Sequence, residues 1–522
     1  MYDRNAFGNP DGSRTDIEDM MSEFIVFDKR YFSSGVASPD DLKTRVIVGP
    51  KGSGKTVYLR RIRANLKLNN SIHVNSIEHE LPATDLVVRF GQNFAESNIT
   101  EKWMYAWKFA ILRAVISSIL NDEDWNQDVT EKEKNKLLEY EGIIFPKYKV
   151  PMPIYSELRN ILSHYSTKNT FNEYAERKEW DEIEIIVEKI FKKMPALYYF
   201  VDSVDEEFGN APMYWLRCQK GLFYQVMRLI RKELYGNKLH VVICIRDNVM
   251  ASICKSEHHT RYINEEHVKI LNWDYASIQY FFESKIANMK KCYFINENSE
   301  KSVVNWFGIT HIHNNYRDIE EPILQYVLRH TRLLPRDIVI MGNSLSEIKQ
   351  MKTNSPQTDI CKMIRKKVAK CAKVFGNELL QICANQINNN EMPKDAAEKE
   401  YSEVYTSIQE YKESTSNRMK EVFVDVTSDK LKWNQICELE ERAEKLLGEN
   451  CKMFDVLWQN GGVGYIEEGP NGKEEIFFND GYPEFLLPKE KSIYILRSCL
   501  IDAIGIHNPI WDTNPVLGGT TE

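Results

Sequence analysis

Residues Gly49-Pro-Lys-Gly-Ser-Gly-Lys-Thr56 set glycines, a lysine and a hydroxyl at the spacing G-x-x-x-x-G-K-[ST]. Each residue type has a task in holding phosphate. The glycines let the chain curl until successive backbone N–H groups point inward at an anion. Lys55 would put a point charge on the outer phosphates, and the Thr56 hydroxyl would complete the shell of a Mg²⁺ ion. A helix over roughly Lys55–Leu66, with Val57 in its first turn, would aim its positive dipole end at the same anion. The pattern therefore indicates binding of a nucleoside triphosphate with Mg²⁺, through Gly49, Pro50, Lys51, Gly52, Ser53, Gly54, Lys55, Thr56 and Val57.

Carboxylates complete that chemistry. Asp202 ends the apolar run Ala196–Val201, where it could hold Mg²⁺ beside Thr56. Asp205 and Glu206 follow, and either could take a proton from an attacking water or orient it; spacing does not separate them. Arg246 ends a second run, Leu239–Ile245, expected to form a strand between the two motif-bearing ones. There it either reaches the γ-phosphate or caps the strand and pairs with Asp247. Arg261 either enters a neighbouring subunit's site or is a solvated surface charge. Arg332-Leu-Leu-Pro335-Arg336-Asp337 opens a helix with proline at its first position. That is ordinary capping, or else this turn packs on the base while Arg336 senses the γ-phosphate.

The elements that must position these groups follow from hydrophobic patterning. Arg45–Val48, Ala196–Val201 and Leu239–Ile245 are continuous β-rich runs, as expected of strands buried on both faces of a parallel sheet. Helical stretches at 101–120 and 180–193 separate them, whereas 121–149 is charged and reads as a surface insertion. From Tyr275 strand signals nearly vanish, and helices are expected at 275–291, 300–307, 319–331, 336–346 and from 359 to about 420. Two helices at 429–447 and 451–459 then lead to two short strands around a Pro470-Asn471-Gly472 turn, the pattern of a winged helix.

Composition sets limits on these readings. The 522 residues exceed what one core supports, so several domains are expected. We divide the chain into a flexible N-terminus (1–23), an α/β core (24–274), a helical lid (275–350), a helical linker (351–427) and a winged-helix-like domain (428–522). Ten scattered cysteines without a C-x-x-C pair read as reduced thiols. No stretch reads as a membrane span, so a cytoplasmic protein is expected.

The order of these elements resembles the AAA+ and STAND class of P-loop ATPases, near its origin-recognition-like and NACHT/KAP-type branches. More narrowly it is similar to bacterial and prophage-encoded P-loop ATPases of antiviral defence. The resemblance implies an ATP-hydrolysing switch whose nucleotide state controls oligomerisation or partner engagement, with Pro335 contacting adenine and with slow turnover. A homo-oligomer and a separately encoded protein partner are implied. Two departures stand out: Ser203 and Val204 separate the strand-end acids, and neither a repeat sensor nor an effector domain is visible. The alternative is an origin-recognition-like loader that binds DNA through the winged helix. Residues 428–522 hold nine Lys and Arg against seventeen Asp and Glu, a deficit equal to the −8 of the whole chain. Phosphate contacts need cations, so a protein is the expected receiver in preference to DNA.

Overall fold

The computed structural model describes residues 5–14, 43–79, 82–202, 211–254, 262, 265–314, 319–354, 359–388, 414–448, 451–468, 474–479 and 486–506. Its first body is an α/β fold on an all-parallel five-stranded sheet. The strands are β1 (Val46–Gly49), β2 (Ile72–Glu78), β3 (Ala196–Val201), β4 (Leu239–Arg246) and β5 (Val268–Ile270), in the spatial order β2-β3-β4-β1-β5. Strands β1 and β4 are buried along their whole length, as their unbroken apolar runs require. Alternate residues serve opposite faces. Ile47, Phe200, Val242 and Cys244 pack on Tyr58, Leu59 and Ile62 of the Lys55–Leu66 helix. Val46, Val201, Val241 and Ile243 join the larger core on the other face, with the Glu96–Asn121 and Pro212–Arg231 helices.

Three expectations change in this body. Strand β2 carries polar residues at alternate positions and is only half buried at the sheet edge, so it gave no continuous apolar signal. The charged stretch 121–149 is more than a surface insertion, because Trp125, Leu137, Phe145 and Tyr148 reach into the main core. Asn98–Asn121 is long and apolar enough to cross a membrane, contrary to the sequence reading. Of its apolar 18-residue window 78% is buried in this fold, which makes it a core helix here.

Beyond Tyr275 the chain builds a helical body around Phe282, Trp306, Phe307, Ile338 and Leu345. It also contains an unexpected antiparallel pair, β6 (His311–Asn314) and β7 (Ile319–Pro322), where a helix from residue 319 was expected. That helix begins only at Ile323, because Pro322 has a fixed φ and no N–H and marks its entry.

The long helix Ile360–Asn388 serves two cores: Ile364, Val368 and Phe375 belong to the helical body, Leu380, Ala384 and Ile387 to the C-terminal one. The chain around residue 376 is therefore a shared strut, not an independent linker. A cysteine carbonyl from the C-terminal body (Cys499) lies so close to Gly376 that any side chain there would collide with it.

The C-terminal body has a four-stranded antiparallel sheet in the order β10-β9-β11-β8, from β8 (Lys430–Leu431), β9 (Val463–Glu468), β10 (Glu474–Phe478) and β11 (Ile493–Leu496). Helices Trp433–Leu447, Met453–Gln459 and Ser498–Ile504 cover it. Strands β8 and β11 had no counterpart in the sequence reading, and the Pro470–Gly472 turn lies outside the described residues.

The N-terminus also differs from the loose tail expected over 1–23. Phe7 is fully buried, stacks on Trp306 with ring centroids 5.3 Å apart, and donates its N–H to Asn343 Oδ1 at 2.8 Å. Residues 5–14 thus form a strap from the helical body to the Lys55–Leu66 helix, where Arg60 Nη1 donates to Gly12 O at 2.5 Å.

Candidate functional site

The loop leaves β1 at the carboxyl edge of the sheet, with Gly49 in register with Arg246 of β4 and β5 on the other side. Its turn depends on two glycines with φ of +93°, Gly52 and Gly54, a backbone region that residues with a Cβ rarely enter. Gly54 is the N-cap of the Lys55–Leu66 helix and has no side chain to cap it. The first backbone N–H groups of that helix are left without intrahelical acceptors, an arrangement that suits an anion.

Lys55 is buried, with Nζ donating to the carbonyls of Gly49 at 2.9 Å and Pro50 at 3.1 Å. Its ammonium therefore sits inside the curl of the loop. The Ser53 hydroxyl is buried and has no hydrogen-bond partner among the described residues. No atom stands within 4 Å of where a Cβ on Gly54 would be. An orphaned hydroxyl, a buried ammonium and open space at a helix N-terminus are what a phosphate group fits. Thr56 and Val57 are half buried in the first turn, under Gly12 of the strap.

The remaining candidates are distributed around this loop. Arg246 ends the strand between β1 and β3 and is buried. Asp202 follows β3 and is 7% exposed; its carboxylate lies 3.4 Å from His79 Nδ1, and its carbonyl accepts from the Tyr155 hydroxyl at 2.8 Å. Two strand spacings, about 10 Å, separate the backbones of β3 and β1. Asp205, Glu206 and Arg261 lie outside the described residues.

Pro335 is the first residue of the Pro335–Leu345 helix, and Arg336 beside it is in contact with the loop. The Arg336 N–H donates to Gly52 O at 3.2 Å, and a Cβ on Gly52 would stand 3.1 Å from Arg336 Cβ. Trp273 Nε1 donates to Ser53 O at 2.9 Å.

Several neighbours of the site gave no sequence signal. Lys51 pairs with Glu378 of the long helix at 3.1 Å. Glu378 also accepts from Arg332 Nη2 at 2.7 Å, and Arg332 grips the fully buried Asp337 through Nε and Nη2 at 2.9 and 2.6 Å. Burial would raise the Glu378 carboxyl, but Arg332 and Lys51 outweigh it and hold the group below the usual carboxylate range.

Glu78 ends the unrecognised β2, and its two oxygens accept from the N–H groups of Ile154 at 2.8 Å and Tyr155 at 2.9 Å. Burial pushes this carboxyl up to about 7, against the pull of those two bonds. The hydrogen bond to Asp202 raises the neighbouring His79. Reading the period-two spacing of Ile72 and Val74 as an edge strand would have located both residues; nothing local marks Glu378.

Among the described residues no group of three His, Cys, Asp or Glu side chains forms a metal cluster. Mg²⁺ held by one carboxylate, one hydroxyl and substrate phosphates needs no such cluster. Comparison with protein-family models gives no match for this chain, and comparison with curated proteins gives none, so its activity is to be read from the loop and the groups gathered around it.

Proposed function

We propose that this chain binds ATP with Mg²⁺ on the Gly49–Thr56 loop and hydrolyses it, as a nucleotide-gated switch of the P-loop ATPase type with an AAA+/STAND-like arrangement. One observation carries the switch reading: two adjacent residues of the loop are bonded outside the α/β body, Lys51 to Glu378 of the shared strut and Gly52 to Arg336 of the helical body. Phosphates held there would bear on contacts that set the angle between the two bodies.

In this reading Lys55 leaves the Gly49 and Pro50 carbonyls to neutralise the outer phosphates. Thr56 and Asp202 would hold Mg²⁺, which would supply neutralisation of the phosphate charge. Asp205 or Glu206 handles the attacking water, Arg246 and Arg336 answer to the γ-phosphate, and Pro335 lies against the base. The C-terminal body is a winged helix that receives the signal. Its acidic balance favours a protein partner or a second copy of the chain over DNA.

Binding of MgATP to the purified chain tests this, with Lys55→Ala expected to weaken it at least 100-fold. Glu206→Gln should bind ATP, turn it over slowly and accumulate an ATP-bound assembly. Normal turnover in that variant moves the water role to Asp205. A wild-type chain with no measurable ATP affinity would sink the whole reading.

A further inference from the structure

Where the three bodies meet lies a cavity of about 160 Å³. Gly49, Pro50 and Lys51 line it, whereas Gly52–Thr56, Asp202 and Arg336 do not. It therefore adjoins the nucleotide face of the loop, sharing Arg246 with it, without including Lys55 or the helix N-terminus. Its volume falls well below the roughly 300–1,000 Å³ of sites for drug-sized ligands. Four cations, Lys51, Arg246, Arg332 and Arg497, stand in its wall against the single carboxylate of Asp247.

Arg497 is the N-cap of the Ser498–Ile504 helix and is 5% exposed. Its guanidinium donates to the carbonyls of Gly461 and Thr331 and lies 4.0 Å from the Phe478 ring centroid. Among the described residues no carboxylate pairs with it. Burial pushes the group down to about 10, against the pull of the nearby Asp337 carboxylate. A buried cation with no carboxylate in direct contact is costly, and an anion beside it lowers that cost.

Arg332 adds a second donor, because its Nη1 is buried without a hydrogen-bond partner while the other nitrogens hold Asp337 and Glu378. Asn248 Oδ1 is a buried acceptor, also without a partner. The cavity thus presents guanidinium donors that need an acceptor and an amide oxygen that needs a donor.

We propose that this cavity binds a phosphate-sized oxyanion between Arg497 and Arg332, with a protonated oxygen donating to Asn248 Oδ1. Hydrogen phosphate has this charge, size and donor. The three contacts come from the C-terminal, helical and α/β bodies respectively, so the bound anion holds the three together. Free phosphate and the terminal phosphate of a nucleotide seated on the loop share this chemistry. The proposal does not require that the loop hold a nucleotide.

Calorimetric titration of the full chain with inorganic phosphate, in phosphate-free buffer, tests it. Saturable binding at one site is expected, together with a rise in melting temperature. Arg497→Gln should weaken binding at least 10-fold, Arg497→Lys should keep part of it, and Lys55→Ala should leave it unchanged. Should Arg497→Gln fail to fold, Asn248→Leu keeps both arginines and should weaken binding several-fold. Exclusion of phosphate by a non-hydrolysable ATP analogue, but not by ADP, identifies the nucleotide as the source; undiminished binding with both identifies free phosphate. No saturable binding, loss of binding in Lys55→Ala, or full binding in a folded Arg497→Gln each overturns the proposal.

Discussion

Lys51 and Glu378, 327 positions apart in sequence, form an ion pair of 3.1 Å that fastens the third residue of the loop to the strut shared by the helical and C-terminal cores. Glu378 also holds Arg332, so one carboxylate serves a cation from each of two bodies. Lys51 is 33% exposed and Glu378 23%, which weakens that contact, whereas Arg332 at 5% is almost fully desolvated.

Glu378→Gln should therefore cost about 2–3 kcal/mol of stability, mostly by leaving Arg332 undercompensated. It should also separate nucleotide binding from domain coupling. MgATP would still raise the melting temperature of the α/β body, but the helical body would no longer follow it. Scanning calorimetry with and without MgATP reads both effects, and a single unsplit transition with the wild-type shift would count against the coupling.

The two positive-φ glycines of the loop should respond differently to alanine. Both substitutions incur backbone strain of about 1–2 kcal/mol. At Gly54 the new methyl meets no atom within 4 Å, so strain is the whole effect on stability. At Gly52 it also presses on Arg336 Cβ at 3.1 Å, which should push the Pro335–Leu345 helix away from the loop. Chemical denaturation should rank Gly52→Ala as the less stable variant, and equal losses would show that the Arg336 contact yields freely.

How much of this was legible in the sequence depends on the range of each contact. The loop, the Lys55–Leu66 helix and strands β1, β3 and β4 announce themselves because local glycine spacing and unbroken apolar runs suffice to specify them. Strand β2 sits at an edge, where half its side chains face water, so its pattern is diluted. The ties from Lys51 to Glu378 and from Gly52 to Arg336 exist only in the folded chain, and no local period encodes them. The helix opened by Pro335 was legible; what its first turn touches was not.

The strap gives the plainest case of a long-range contact. Phe7 fills a slot between Phe282, Trp306 and Gly342, where its ring lies so close to Gly342 that a Cβ on the glycine would overlap it. Phe7→Ala should remove about 3 kcal/mol of local packing. Because Phe7 anchors the strap in that core, the strap should detach before the helical body melts. Limited proteolysis should then cut between residues 5 and 14 at a rate well above wild type. Gly342→Ala should produce the same cleavage from the other side of the contact.

Glu78 predicts a pH dependence. Its carboxyl is lifted from 4.5 to about 7 in the folded chain, so between those values the native state binds more protons than the unfolded one. Its contribution is fully present below about pH 4.5 and is lost as pH rises through about 7, a change of about 3 kcal/mol if the shift is fully expressed. Glu78→Gln is neutral at every pH and keeps an oxygen to accept from Ile154 or Tyr155, so its stability should fall less over that window. The difference in unfolding free energy between wild type and variant, measured by urea denaturation from pH 5 to 8, should move steadily in favour of the variant. A difference that stays flat, or that moves toward wild type, would mean that the two N–H bonds at the Ile154–His164 helix hold the carboxylate ionised despite its burial.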